Sequence, residues 1–217
     1  MRVYHFLSSE FGVSNIALSR MKISRYEDLN DPFELLAGNL SERHLRQAVA
    51  TMKKEFHETK GIICFSQEWG SPVLWSHYAD KHKGMALGFD IPDEYASVIN
   101  YSPERVPVAY VNNDPSQGIE PEYVAAITST KYKHWEYENE VRMHIRLDEG
   151  TEEGGLYFMP FSSELELKEV VLGHNCPITI ERVRTLLSNA DHTAKVIKAR
   201  LAFKTFQVVT NQRYVEL

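Results

Sequence analysis

The sequence predicts an α+β fold over residues 1–217: a single domain of split, curved, antiparallel-rich mixed sheets with a few helices. Three observations predict it. Strand-like runs outnumber helical ones. The two kinds do not alternate regularly, as a doubly wound parallel sheet requires. The run Glu138-Asn139-Glu140-Val141-Arg142-Met143-His144-Ile145-Arg146-Leu147 alternates strictly between ionisable and apolar side chains after Asn139, with Glu138 in phase. Side chains alternate across a strand, so Val141, Met143, Ile145 and Leu147 would pack on a core while Glu138, Glu140, Arg142, His144 and Arg146 share the other face.

The elements follow in order. Val3 to Leu7 reads as a first strand, with His5 on the face of Val3 and Leu7. Residues 15–21 offer one short helical turn, and Met21 to Ser24 a second strand. Asn30-Asp31-Pro32-Phe33-Glu34 reads as a turn, because Asx side chains bond nearby backbone and Pro fixes its own φ. The clearest helix spans Ser41 to Lys60: Leu45, Val49, Met52 and Phe56 form its apolar stripe, Ser41 caps it and Gly61 ends it. Gly61 to Ser66 is apolar on both faces, as in a strand covered on both sides. Ser71-Pro72 opens a short helix through Trp75, Tyr78 and Ala79. Met85 to Ile91, Arg105 to Val111, Glu140 to Leu147, Tyr157 to Phe161 and Glu169 to Leu172 are expected strands. A helix over Ile180 to Ser188 and two strands between Val196 and Val209 complete the list.

Composition narrows the function. A chain that is 43% hydrophobic and 25% charged has the balance of a globular protein, not a disordered one. A formal net charge of -6 argues against broad, sequence-independent affinity for nucleic acid, although a local basic groove is compatible with it. Cys64 and Cys176 are too few for a disulfide framework and badly spaced for zinc, which leads to an expected reduced, cytoplasmic setting. The apolar run at residues 1–7 is too short for a signal sequence and no run is long enough to span a membrane. Neither G-x-G-x-x-G nor a P-loop occurs.

The chemistry-bearing residues cluster in three stretches. Glu138 and Glu140 could act as an acid/base or electrostatic pair, since close carboxylates push their pKa values apart; pairing with Arg142 is the structural alternative. His5 stands in an apolar strand, where it is either a hydrogen-bonded core residue or a donor to a ligand. Cys64-Phe65-Ser66 and Trp75 to Gly84 (WSHYADKHKG) are dense in aromatic and polar groups. Trp75 and Tyr78 share a helical face and supply either core packing or a wall for a ring-shaped ligand. Lys83 and its neighbours could contact phosphate, or form a solvated turn. His77 and His82 are five apart and no H-E-x-x-H motif occurs, so no metal site is expected; no G-x-S-x-G motif accompanies Ser66, and nucleophilic catalysis by Cys64 or Ser66 is not expected either.

These motifs resemble a bacterial family known as domain of unknown function 2971: Asn30 to Glu34 (NDPFE), Cys64 to Ser66 (CFS), Trp75 to Asp90 (WSHYADKHKGMALGFD), Lys133 to Arg142 (KHWEYENEVR) and Glu169 to Gly173 (EVVLG). More distantly, the order of parts resembles the ADP-ribosyltransferase fold. That resemblance implies an enzyme that cleaves NAD, its substrate, and transfers ADP-ribose to a macromolecular acceptor, nucleic acid or protein. It further implies a toxin or phage-defence effector, with an antitoxin or a second copy as partner. Carried over, His5 would hold NAD, Tyr78 or Trp75 would stack on nicotinamide, and Glu140 would open the catalytic strand. Ser66 would match the serine of the arginine-modifying branch, and Glu138-Asn139-Glu140 its Glu-x-Glu pair. The short turn at residues 15–21 and the absence of a clear second triad residue depart from that pattern. Two other classes share the residues. One is a non-catalytic module binding a nucleotide or a partner. The other is a metal-dependent nuclease using Asp31, Glu34 and Glu140.

Overall fold

The computed structural model describes residues 1–114, 117 and 119–214. Its centre is β1 (Arg2–Leu7), paired along its whole length with β4 (Met85–Asp90), from Arg2 opposite Asp90 to Leu7 opposite Met85. The sheet continues through β11 (Glu166–Leu172) to β12 (Lys195–Leu201), a parallel neighbour, and β13 (Val208–Thr210). The remaining pairs in this sheet are antiparallel, so the architecture is mixed α+β with mostly antiparallel pairing.

On the other side of β1 the sheet splits. One edge of β3 (Lys60–Ser66) meets β1 at a single pair, Tyr4 opposite Ser66, and meets β2 (Arg20–Arg25) near the opposite end, Ser24 opposite Ile62. Strands β1 and β2 therefore diverge from a shared edge. Where they part, the Cys64 carbonyl takes its hydrogen bond from the His5 side chain (2.8 Å). The other edge of β3 pairs with β8 (Glu140–Arg146) from Lys60 opposite Arg146 to Ser66 opposite Glu140. Beyond β2 lie β10 (Leu156–Pro160) and β9 (Thr151–Glu153), while β5 (Ser97–Val98) borders β8. A separate parallel pair joins β6 (Asn100–Ser102) to β7 (Thr130–Tyr132).

Helices cover both faces. α1 (Ser9–Ala17) and α5 (Ile180–Asn189) place Ile16, Ile180, Val183 and Leu187 in the main core with Val3, Leu7, Met85, Leu87 and Val170. α3 (Pro72–Tyr78) brings Trp75 onto the opposite face, against Ala86, Val171 and Ile197. α2 (Arg43–Thr59) carries Phe56 onto Tyr26, Leu35 and Ile62. α4 (Pro121–Thr128) buries Tyr123 and Ile127. Each fully buried aliphatic side chain contributes about 1.5–3 kcal/mol. Among the described residues no helix is long and apolar enough to cross a membrane.

Several sequence expectations are corrected. The very short helix expected at residues 15–21 is instead α1, nine residues over Ser9–Ala17 capped by the Ser8 side chain, which accepts from the Phe11 N–H, and Arg20 and Met21 already belong to β2. Inside α1, Gly12 is where the helix packs so closely on β4 that a Cβ would overlap the Met85 side chain. Ser41 does not cap α2, whose first flanking residue is Glu42, and Gly61 does not end it in a left-handed turn. The chain runs through extended Lys60 straight into β3, and Gly61 is where β2 lies too close for a Cβ, which would meet Ile23 and the Ser24 carbonyl. Residues 105–111 form no strand; single bridges from Val106 to Gly38 and from Tyr110 to Ile119 replace it.

Candidate functional site

The diverging strands open a cavity of about 310 Å³, lined by Tyr4, His5 and Phe6 of β1, Ser24 of β2 and Cys64, Phe65 and Ser66 of β3. Tyr78 from the end of α3 and Asn30 and Glu34 from the turn after β2 wall it, and Lys131, Glu138, Glu140 and Arg142 complete it. Five of the sequence-selected residues, His5, Ser66, Tyr78, Glu138 and Glu140, thus share one cavity although 135 positions separate the first from the last.

Glu138 does not extend the β8 alternation. It ends a 3-10 turn over Lys133–Glu138, and Asn139 then adopts a left-handed backbone (φ 44°, ψ 51°) before β8 begins at Glu140. Asparagine tolerates this region better than most residues. The kink still turns both carboxylates toward one cation: Lys131 Nζ lies 2.7 Å from Glu138 Oε2 and 2.8 Å from Glu140 Oε2. Arg142 Nε donates to Glu140 Oε1 (2.9 Å), and its two terminal nitrogens grip Glu34 in a fork, both at 2.7 Å. Arg142 is 1% exposed and Glu140 3%. The polar face of β8 is therefore buried at Glu140 and Arg142 and exposed farther along, at His144 and Arg146. Its buried part belongs to a network of three carboxylates and two cations, one negative charge in excess. The ion pairs that hold β8 also fix the Glu140 carboxylate.

The protonation states follow. Burial works to raise the Glu140 pKa, but Arg142 and Lys131 outweigh it, and the carboxyl stays below its ordinary 4.5 and ionised. Burial raises the Tyr78 hydroxyl and its hydrogen bond to Glu138 raises it further, so it remains protonated and donates to Glu138 while accepting from Asn30 Nδ2 (3.0 Å). Burial lowers His5 below its ordinary 6.5, partly opposed by the Cys64 carbonyl, and keeps the ring neutral. A carbonyl oxygen only accepts, so Nδ1 carries the proton and Nε2 is the acceptor. The sequence expectation of His5 as a donor to a ligand is thereby reversed. Cys64 is pushed well up, first by burial and then by Glu140, and stays an unreactive thiol.

Two candidates lie elsewhere. Trp75 is fully buried on the α3 face, its indole N–H donating to the Trp69 carbonyl (2.7 Å), and it packs edge-on against Phe6. It is a core residue and does not line the cavity. Lys83 follows three left-handed residues, Asp80, Lys81 and His82, in a turn fixed by the Gly84 N–H bond to the Ala79 carbonyl (2.8 Å). Gly84 and Gly173 are obligatory there because Cβ atoms would strike the Leu7 and His82 carbonyls. This packing accounts for the backbone of the D-K-H-K-G segment and its glycine, while Lys83 itself is exposed and does not line the cavity. The nuclease arrangement is not assembled either: Arg142 stands between Glu34 and Glu140, Asp31 caps its own turn by accepting from the Phe33 N–H (2.9 Å), and no metal-binding group of His, Cys, Asp or Glu occurs among the described residues.

Sequence reasoning missed Lys131 as a member of the site and Tyr101 as its support, and raised Glu34 only as a metal ligand. Tyr101 accepts the Glu140 backbone N–H (2.8 Å), fixing the first residue of β8. Lys131 carried no signal because it lies seven residues before Glu138, with the 3-10 turn between them. Comparison with curated proteins and with solved structures gives no match. Residues 74–143, about a third of the chain running from α3 to the middle of β8, match the family described as Protein of unknown function (DUF2971), and over that stretch the chain is similar to it.

Proposed function

We propose that the cavity binds the nicotinamide-ribose end of NAD and that the protein cleaves its glycosidic bond, as an ADP-ribosyltransferase-like enzyme. The observation that carries this reading is the convergence of His5, Tyr78 and the Glu138–Glu140 pair on one cavity between diverging strands. The pyridinium ring is cationic, and the ribose becomes oxocarbenium-like as the bond breaks. A rigid, ionised Glu140 in a network with excess negative charge favours both. Ser66, directly opposite Glu140 across β3 and β8, supplies a hydroxyl beside it. The Nε2 of His5 accepts from a ribose hydroxyl or the carboxamide, and the Tyr78 ring forms a wall for nicotinamide. In the reaction the bond between ribose C1′ and the ring nitrogen breaks and its electron pair leaves with nicotinamide. The acceptor oxygen or nitrogen bonds to C1′ and gives up its proton to Glu138, the carboxylate of the pair that is held by Lys131 and Tyr78 and not by Arg142. NAD carrying a radiolabel on its adenylate phosphate tests the transfer step. Label on added protein or nucleic acid identifies the acceptor, label in free ADP-ribose alone indicates water, and unchanged NAD contradicts the proposal.

One observation favours a second reading. The Glu140 carboxylate is already engaged by Arg142 and Lys131, as in a structural network, which suits a module that binds a nucleotide without turnover. NAD binding with no nicotinamide release would select it.

A further inference from the structure

Residues 192–214 contain Lys195, Lys198, Arg200, Lys204 and Arg213 and no aspartate or glutamate, within a chain of formal net charge -6. This segment holds β12, β13 and the Ala202–Gln207 connection between them, closed by the Ala202 N–H bond to the Gln207 carbonyl (2.9 Å). Lys198 is engaged internally, donating to the Gly173 and Cys176 carbonyls at 2.8 and 3.1 Å. Among the described residues no carboxylate pairs with Arg200, Lys204 or Arg213. At the hairpin tip Phe203 is 90% exposed and Phe206 99%, and the Arg200 guanidinium lies 4.5 Å from the Phe203 ring centre.

Two hollows flank the tip and share Arg200, Ala202, Phe203 and Gln212. The larger, about 810 Å³, is lined with hydrogen-bonding side chains including Gln67, Thr205, Gln207 and Thr210 as well as Lys204, with Glu68 as its carboxylate. The smaller, about 520 Å³, adds His174 and Arg213. Exposed rings beside cations without a carboxylate partner, and hollows that combine apolar and aromatic walls with amide and hydroxyl groups, match a chain that alternates phosphates with flat, hydrogen-bonding bases. An acyl chain would leave those amides and hydroxyls without partners, and a second copy would bring the cations of one hairpin toward those of the other.

We propose that the β12–β13 hairpin and the hollows beside it are a docking surface for single-stranded nucleic acid. Phe203 and Phe206 stack on bases, and Arg200, Lys204 and Arg213 contact phosphates. The surface is local, so it coexists with the net negative charge of the chain. It stands on observations separate from those behind NAD cleavage, although Tyr4 lines both the larger hollow and the candidate cavity.

The test is fluorescence anisotropy of labelled twelve-nucleotide oligo-dT and oligo-U with the whole protein. Three phosphate contacts give a slope of about -2 in log affinity against log salt. The variant Phe203→Ala/Phe206→Ala loses about tenfold or more in affinity, on the order expected for lost stacking. Because both rings are exposed, its melting temperature stays that of the parent. Lys204→Ala/Arg213→Ala flattens the salt slope by about 1.4. Absence of binding at low salt overturns the proposal, as does binding that both variants retain. Hairpin-dependent sedimentation with phosphatidylserine vesicles without oligonucleotide binding overturns it too, as does hairpin-dependent dimerisation without such binding.

Discussion

Arg142 decides the local energetics of the site. Its guanidinium is buried, forks onto Glu34 and also bonds Glu140, so it is a partner of two carboxylates that lie within the protein. Arg142→Met leaves both of them buried without their principal partner, and we expect a loss of about 3–5 kcal/mol in urea unfolding. Arg142→Lys keeps the charge but loses the planar fork, so it recovers only part of that loss. Tyr78 separates stability from ligand binding. Tyr78→Phe keeps the ring and deletes the bond to Glu138; Tyr78→Ala deletes both. If the ring forms the nicotinamide wall, KM for NAD rises about tenfold in the alanine variant and changes little in the phenylalanine variant. Steady-state kinetics with NAD reads the difference, and equal KM values in the two variants would remove Tyr78 from the wall.

The elements place these residues through two irregularities. One is the left-handed Asn139, which lets Glu138 and Glu140 meet on Lys131 although only Glu140 belongs to β8. Asn139→Val should cost about 1–2 kcal/mol in thermal or urea melts, while Asn139→Gly should be near neutral. The other is the divergence of β1 and β2 from β3, which opens the cavity. The sequence made the strands legible wherever alternation or a continuous apolar run was strong: β1, β3, β4 and β8 lie within a residue or so of their expected ends. It also exposed four of the cavity residues through their chemistry, and Ser66 through its place in a motif. What it hid was non-local. Glycines 12 and 61 serve tight approaches to Met85 and Ile23, and local pattern shows Gly61 only as a helix stop. Trp75 has the composition of a ligand wall, yet its indole is satisfied inside the core. The salt network brings Lys131 of β7 and Glu34 of the turn after β2 onto Glu140 and Arg142 of β8, a meeting of separate elements that residue spacing does not report.

At the scale of the whole molecule, acid is the vulnerable side. His5 and His82 are held below their ordinary 6.5, His5 by burial and His82 by burial and then by His174. The unfolded chain therefore takes up protons before the folded one as pH drops below about 6.5, and stability falls in that window. Glu140 is held below 4.5, so its contribution is complete above that value and is lost as pH falls through its folded pKa. Melting temperature should be nearly level from pH 7 to 8 and decline below about 6.5. His5→Gln should flatten the first part of that decline. An unaltered profile in the variant would show that His5 does not couple to folding.

The split sheet brings one neutral histidine, one aromatic wall and one fixed carboxylate to a single cavity, and the central claim is that this cavity breaks the nicotinamide–ribose bond. The most direct measurement is nicotinamide release from NAD, followed by mass spectrometry, for the parent chain, Glu140→Gln and Tyr78→Ala. Near-ultraviolet circular dichroism should run beside it, because Glu140 also serves the buried network. We predict release by the parent, its loss in a folded Glu140→Gln by at least about a hundredfold, on the scale of a lost electrostatic stabiliser, and intermediate release in Tyr78→Ala. A folded Glu140→Gln that releases nicotinamide at the parental rate would contradict the account, as would a parent protein that neither binds NAD nor releases nicotinamide.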